Sequence, residues 1–181
     1  MEIISTTIPG PKIIEPKVFG DERGYFMETW NEAGFAEAGL DLQWVQDNHS
    51  HSQKGVLRGL HFQNPGPQGK LVRVTRGAVY DVAVDLRKSS EHFGQWVGVE
   101  LSAQNKRMFW VPEGFAHGFL TLEDDTDFLY KCTAAYAPQS EYTLAWNDEA
   151  VGVDWPVSDL DPIISEKDAV GLSLSDIPAF D

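Results

Sequence analysis

The sequence predicts an all-β fold: a sandwich, jelly roll or small barrel with a few short flanking helices. Three observations carry that expectation. Helix signals are scarce, strand-like runs are short and closely spaced, and Gly, Pro and Asp punctuate them throughout. The 181 residues predict a single domain over 1–181, long enough to bury a core.

In chain order, the best helix candidate is Asn31–Leu40 (NEAGFAEAGL), with Asn31 as N-cap and Gly39 near its end. The stretch Asp47–Gly77 follows. After Asp47 it holds no acidic residue until Asp81, in a chain of formal net charge −14. Lys54, Arg58, Lys70, Arg73 and Arg76 lie in it, with His61 among them. Val56–Gln63 and Lys70–Arg76 read as strands, and the Gly/Pro turn Asn64–Gly69 predicts that they pair as a hairpin. An acidic protein that keeps one hairpin basic is expected to present it to a small anion, with the imidazole as the chemical group.

Ala78–Leu86 alternates, with Ala78, Tyr80, Val82, Val84 and Leu86 on one face and Val79, Asp81, Ala83 and Asp85 on the other. Further strands are expected at Gln95–Leu101, Arg107–Val111, Phe119–Leu122, Phe128–Thr133 and Tyr142–Trp146. A second short helix is expected from Ser165, in the capping pattern Ser165-Glu-Lys-Asp168. The tail from Trp155, rich in Asp, Pro and Ser, is expected to wrap the outside. On a regular strand Arg58 and His61 would point to opposite faces. If both serve one pocket, Gly59 must host a bulge.

The acidic balance argues against nucleic-acid or anionic-membrane partners, and no apolar run approaches the roughly 18 residues of a membrane span. MEIISTTIPG has an acid and no Lys or Arg before Pro11, so no secretory leader is expected. Cys132 is the only cysteine, which excludes an intrachain disulfide and fits a reducing, cytoplasmic setting.

Cupin barrels usually hold a metal through a His-x-His pair, a following Glu and a distant His. Here the distant half is present as Pro112-Glu-Gly114-Phe-Ala-His117, but His61-Phe62-Gln63 has Gln where the second His belongs. Two imidazoles without carboxylate or thiolate are too few for a tight Zn or Fe site, so no metal is expected.

FGDERGYF (19–26), DNHS (47–50), RGLHFQ (58–63), QGKLVRV (68–74), DVAVDLR (81–87), FGQW (93–96), PEGFAHGF (112–119), LYK (129–131) and SEKD (165–168) resemble dTDP-4-dehydrorhamnose 3,5-epimerases, in order and over nearly the whole chain. The resemblance implies a cupin-like jelly roll that needs no cofactor. It implies a homodimer in which residues of about 1–45 are exchanged, with 155–181 wrapping the barrel. The substrate it implies is a dTDP-linked 4-keto-6-deoxyglucose, epimerised at C3 and C5. By the matching motifs His61 would be the base, Tyr130 the acid, Lys70 the stabiliser of the enolate oxygen and Asp168 the partner of the imidazole. Arg23, Glu28, Gln46, Asp47, Asn48, Arg58, His117, Glu141 and Lys167 would surround the nucleotide-sugar. Tyr136 would stack on thymine, and Phe19 and Phe26 would close the pocket from the partner subunit.

Plainer roles stand beside these. Asp168 could simply complete a helix cap, Tyr130 could be a core tyrosine, and His117 could sit buried in a loop. Glu141 could be a solvated loop carboxylate, Arg23 a surface ion pair, and Tyr136 the packing of a strand end. Among functions, the alternatives are an epimerase acting at C3 alone, a non-catalytic sugar-nucleotide-binding module and a metal-dependent cupin.

Overall fold

The alternating segment at 78–86 lies deep inside the molecule. In the computed structural model, which describes residues 1–157 and 161–181, the strand Ala78–Asp85 is buried on both faces, with only Tyr80 partly exposed. The elements in chain order are β1 (Glu2–Ser5), β2 (Lys12–Glu15), β3 (Val18–Asp21), β4 (Gly24–Met27), α1 (Glu32–Glu37), β5 (Gln46–Ser52), β6 (Leu57–Gln63), β7 (Lys70–Arg76), β8 (Ala78–Asp85), β9 (Trp96–Ser102), β10 (Met108–Val111), β11 (Phe115–Thr121), β12 (Thr126–Cys132), β13 (Glu141–Thr143) and α2 (Glu166–Ala169). They form a six-stranded sheet, β1-β2-β10-β7-β12-β5, and a five-stranded sheet, β13-β6-β11-β8-β9, with β3 and β4 as a separate two-stranded ribbon.

Period-2 alternation then distributes the side chains. Val72 and Val74 of β7, Phe109 of β10 and Phe128 of β12 meet Val79 and Ala83 of β8 and Phe119 of β11 in the space between the sheets. The other face of the five-stranded sheet, with Leu57, Leu60, Val82 and Val84, is covered by Val151, Trp155, Ile177 and Ala179. Ile14, Leu71, Met108 and Trp110 on the outside of the six-stranded sheet pack under Phe35 of α1. Trp155, Ile164, Leu174, Ile177 and Ala179 thus help to cover that face, and a backbone bridge joins Arg87 to Phe180.

Both helices form where their caps stand. Asn31 Oδ1 accepts from the Gly34 N–H at 2.7 Å, and Ser165 Oγ accepts from the Asp168 N–H at 3.2 Å. The expected irregularity at Gly59 is present. His117 pairs with His61 but Phe119 pairs with Arg58, so β6 carries one residue more than its partner over that interval. Gly59 sits at φ +128°, and a Cβ there would lie 2.5 Å from the Gly118 Cα. The extra residue places Arg58, His61 and Gln63 on the interior side, with Leu57, Leu60 and Phe62 on the outside.

The expected hairpin between 56 and 76 does not form. β6 pairs with β11 and β13, whereas β7 pairs with β10 and β12. The turn carries the chain from one sheet to the other, anchored by Gln63 Nε2 on the Gly66 carbonyl (2.9 Å) and Gln68 Nε2 on the Ala134 carbonyl (2.7 Å). Only Arg58 and Lys70 of the five basic side chains line the interior cleft; Arg76, for instance, turns outward to Asp125 (3.2 Å). β11 also begins earlier than its sequence signal, at Phe115, so His117 is a strand residue and not a loop residue.

Candidate active site

The bulge in β6 aims His61 into a cleft of about 350 Å³ between the sheets. His61 Nε2 donates to Asp168 Oδ1 at 2.5 Å, and the Asp168 side chain is buried. Burial alone would raise the Asp168 pKa, but hydrogen bonds from His61, Ser165 and the Gly59 backbone outweigh it and hold the carboxyl below its ordinary value. An ionised Asp168 fixes the ring tautomer through Nε2, and among the described residues the other ring nitrogen has no hydrogen-bond partner. Ser165 therefore caps α2 through its hydroxyl while the Asp168 side chain is released for His61.

The opposite wall comes from the six-stranded sheet. Lys70 starts β7 and Tyr130 lies on β12, both on the interior side, and both line the same cleft as His61. Burial lowers the Lys70 pKa, against the opposing pull of the nearby Cys132, Asp81 and Glu141. Burial likewise raises the Tyr130 phenol, with Cys132 adding to the effect. The cleft thus presents a carboxylate-supported imidazole on one side, and a phenol that keeps its proton beside a buried amine on the other.

The remaining wall residues are tied down in pairs. His117, cross-strand partner of His61, donates from Nε2 to Asp81 Oδ1 at 2.9 Å. Burial raises the Asp81 pKa against the pull of His117. Glu141 lies on β13, where it accepts from Lys167 Nζ (2.5 Å) and Tyr136 OH (2.7 Å). Those two partners outweigh its burial and keep its carboxyl below the ordinary value. The Tyr136 backbone N–H donates to Gln46 Oε1 at 2.8 Å, and Arg58 reaches Ser52 Oγ at 3.2 Å. Gln46, Asn48, Gln63 and Gln68 line an adjoining recess of about 250 Å³ that shares His61, Lys70, Tyr130, Tyr136 and Glu141 with the main cleft.

The fold therefore brings together His61, Lys70, Tyr130, Asp168, Arg58, His117, Tyr136, Glu141, Lys167, Gln46 and Asn48 around one cavity. Asp47 is a correction: it neighbours Asn48 on β5, so period 2 turns it to the outer face, where it pairs with Lys131 at 2.7 Å. Arg23, Phe19, Phe26 and Glu28 do not reach the cleft of their own chain. Arg23 is 85 % exposed and paired with Asp21 at 2.5 Å, Phe19 and Phe26 are 54 % and 70 % exposed, and Glu28 accepts from Asn31. Sequence reasoning passed over Asp81, Ser50, Phe119 and Phe128 as wall residues or their supports. Asp81 left a signal, since it is an acid on the face of β8 that carries Val79 and Ala83.

Among the described residues, no group of three His, Cys, Asp or Glu side chains is arranged to hold a metal ion. His61 and His117 each engage a carboxylate of their own instead of converging on a shared point.

A family model described as dTDP-4-dehydrorhamnose 3,5-epimerase matches residues 5–176. The Salmonella typhimurium protein of that name is 60 % identical over 171 residues, covering 93 % of each chain. A crystal structure of the Legionella pneumophila dTDP-6-deoxy-D-glucose-3,5-epimerase, in complex with dTDP-4-keto-L-rhamnose, superposes with a TM-score of 0.94 at 52 % identity, covering 97 % of this chain and 94 % of that one. A 3'-monoepimerase from Streptomyces bikiniensis, in complex with dTDP-quinovose, superposes at 0.89 with 33 % identity, covering 95 % and 87 %.

Proposed function

This chain belongs to the dTDP-4-dehydrorhamnose 3,5-epimerase family, and from that premise we propose how its cleft inverts C3 and C5 of dTDP-4-dehydro-6-deoxy-D-glucose to give dTDP-4-dehydro-L-rhamnose. The observation that carries the reading is the placement of an imidazole–carboxylate pair and a phenol on opposing sheets around one cavity.

The C4 ketone makes the protons on C3 and C5 removable, because either carbanion delocalises onto the ketone oxygen as an enolate. Inversion demands that a proton leave one face of the ring and return to the other. His61 removes the proton, and the Asp168 carboxylate supports the resulting imidazolium. The Lys70 ammonium faces the enolate oxygen, where charge develops. Tyr130 delivers a proton from the opposite sheet. Each inversion is redox-neutral, one proton out and one proton in, so the residues present balance it without a cofactor.

The adjoining recess, with Gln46, Asn48 and the half-exposed ring of Tyr136, suits the thymidine end, and Arg58, His117, Glu141 and Lys167 suit the diphosphate and sugar. The ribbon β3–β4 exposes Phe19, Tyr25 and Phe26 and packs into neither sheet, which supports exchange of residues of about 1–45 within a homodimer. In that dimer Arg23 binds phosphate, Glu28 binds the nucleotide-sugar, and Phe19 and Phe26 close the partner subunit's cleft. The whole of 1–181 acts as one domain in the cytoplasm. No helix among the described residues is long and apolar enough to cross a membrane, and the lone Cys132 is buried as a free thiol.

Proton NMR of the 4-keto substrate in D2O tests the reaction. Deuterium entering at both C3 and C5 is the expected result. Entry at C3 alone would make the protein a C3 epimerase, the second reading that the likeness to a 3'-monoepimerase keeps in view. No entry at either carbon would end the epimerase reading.

The lowered Lys70 pKa gives a pH prediction. The ammonium is present below that pKa and lost above it. Turnover should therefore fall with rising pH on the acid side of the ~10.4 of a free lysine. Tyr130, shifted upward, keeps its proton through the same interval. In Lys70→Arg the charge persists, so the alkaline limb of kcat should move up or vanish. An unchanged limb would remove Lys70 from the enolate role.

A further inference from the structure

Ser50 lies on β5, on the same interior file as Gln46, Asn48 and Ser52. Its hydroxyl oxygen is buried from bulk solvent and, among the described residues, has no hydrogen-bond partner. A buried hydroxyl without a partner destabilises the state that holds it, so such a group in a ligand cleft points to something that binds there. The other interior side chains of β5 are already engaged. Gln46 Nε2 donates to Asn48 Oδ1 at 3.1 Å, Asn48 Nδ2 donates to Cys132 Sγ at 3.6 Å, and Ser52 Oγ accepts from Arg58 Nε at 3.2 Å.

The position of Ser50 narrows what it could meet. It pairs in register with Phe128, one interior step beyond the pairing of Asn48 with Tyr130. It lines the main cleft together with Arg58, His117, Phe119 and Phe128, none of which lines the recess with Gln46 and Gln68. Ser50 is therefore on the far side of Tyr130 from the thymidine recess. Arg58 is anchored just beyond it on β5, through Ser52 Oγ at 3.2 Å and the His51 carbonyl at 3.4 Å. The local chemistry is one rotatable hydroxyl and one guanidinium beside two aromatic rings. That set matches a ring carrying hydroxyls and an apolar edge.

We propose that Ser50 is a substrate-binding residue that hydrogen-bonds a hydroxyl of the hexose, and that it distinguishes the sugar nucleotide from the bare nucleotide. The inference rests on the epimerase reading of the cleft. It assigns Ser50 a binding role only, and His61, Lys70 and Tyr130 keep the proton transfers.

Calorimetric titration of wild type and Ser50→Ala with dTDP and with dTDP-glucose tests it. The second probe carries ring hydroxyls but no ketone, so it binds without turning over. In Ser50→Ala, dTDP affinity should be unchanged and dTDP-glucose affinity should fall about tenfold. The unliganded variant should unfold at the same temperature as wild type or higher, because the change removes an unpaired buried oxygen. An unaltered dTDP-glucose affinity overturns the proposal, and so does an equal loss for both ligands, which would make Ser50 merely structural. The D2O exchange of wild type is a separate readout, so failure of the epimerase reading is distinguishable from failure of this one.

Discussion

Replacing His61 with alanine is expected to lower kcat about 10²–10⁴-fold, the range for loss of a positioned general base, with little change in affinity for dTDP. The affinity should survive because the nucleotide end of the cleft is built from other elements: Gln46 and Asn48 on β5, Gln68 in the crossover, and Tyr136 ahead of β13. The geometry also predicts what deuterium exchange will show. His61 is a carboxylate-supported imidazole that lines the cleft on the five-stranded sheet. Its removal should stop proton abstraction itself, so wash-in from D2O should disappear together with inversion. Exchange at wild-type rate in His61→Ala would transfer the base role to another group, His117 being the next imidazole on the same sheet.

Why this site could be found before its structure, and where that failed, comes down to range. Gly59 between Arg58 and His61 was a local parity conflict, and local conflicts are legible: one extra residue resolves it, and the bulge is there. The caps at Asn31 and Ser165 are equally local. The pairing of β6 with β7 was not legible. A six-residue Gly/Pro turn closes a hairpin or crosses between sheets with equal ease, and the choice is made by β11, β13, β10 and β12, far along the chain. The error did not scatter the site. The interior faces of β6 and β7 look toward each other across the sandwich, so Arg58, His61 and Lys70 converge on the cavity either way.

Asp47 and Asn48 illustrate the same limit at finer scale. Motif matching takes both, but period 2 on β5 sends one into the cleft and the other to Lys131. Asp168 shows the reverse. A capping pattern alone would consume its carboxylate at the start of α2, yet Ser165 caps through its hydroxyl and leaves Asp168 for His61, 107 residues away in sequence. The ribbon carrying Arg23, Phe19 and Phe26 gave a strong motif and yet contacts no part of its own cleft.

Tyr130→Phe should separate the two halves of the reaction that His61→Ala abolishes together. The substitution removes one oxygen from the interior side of β12 and leaves a ring of the same shape against Phe128, so the wall should hold its packing. Burial keeps this phenol protonated, which suits an acid that must donate and not a base that must accept. Without it, His61 can still remove a proton, and Lys70 can still hold the enolate. The enolate then recovers its hydrogen chiefly from the face on which it was lost. Inversion should fall about 10²–10⁴-fold. Deuterium should still enter the substrate with retention of configuration, and at a rate well above product formation. NMR of recovered substrate distinguishes this from a collapsed site. A proportional loss of exchange and inversion would mean that Tyr130 only shapes the cleft, and inversion near the wild-type rate would mean that the returning proton comes from elsewhere. Because the two groups stand on different sheets, exchange without inversion is the outcome that this sandwich geometry specifically requires.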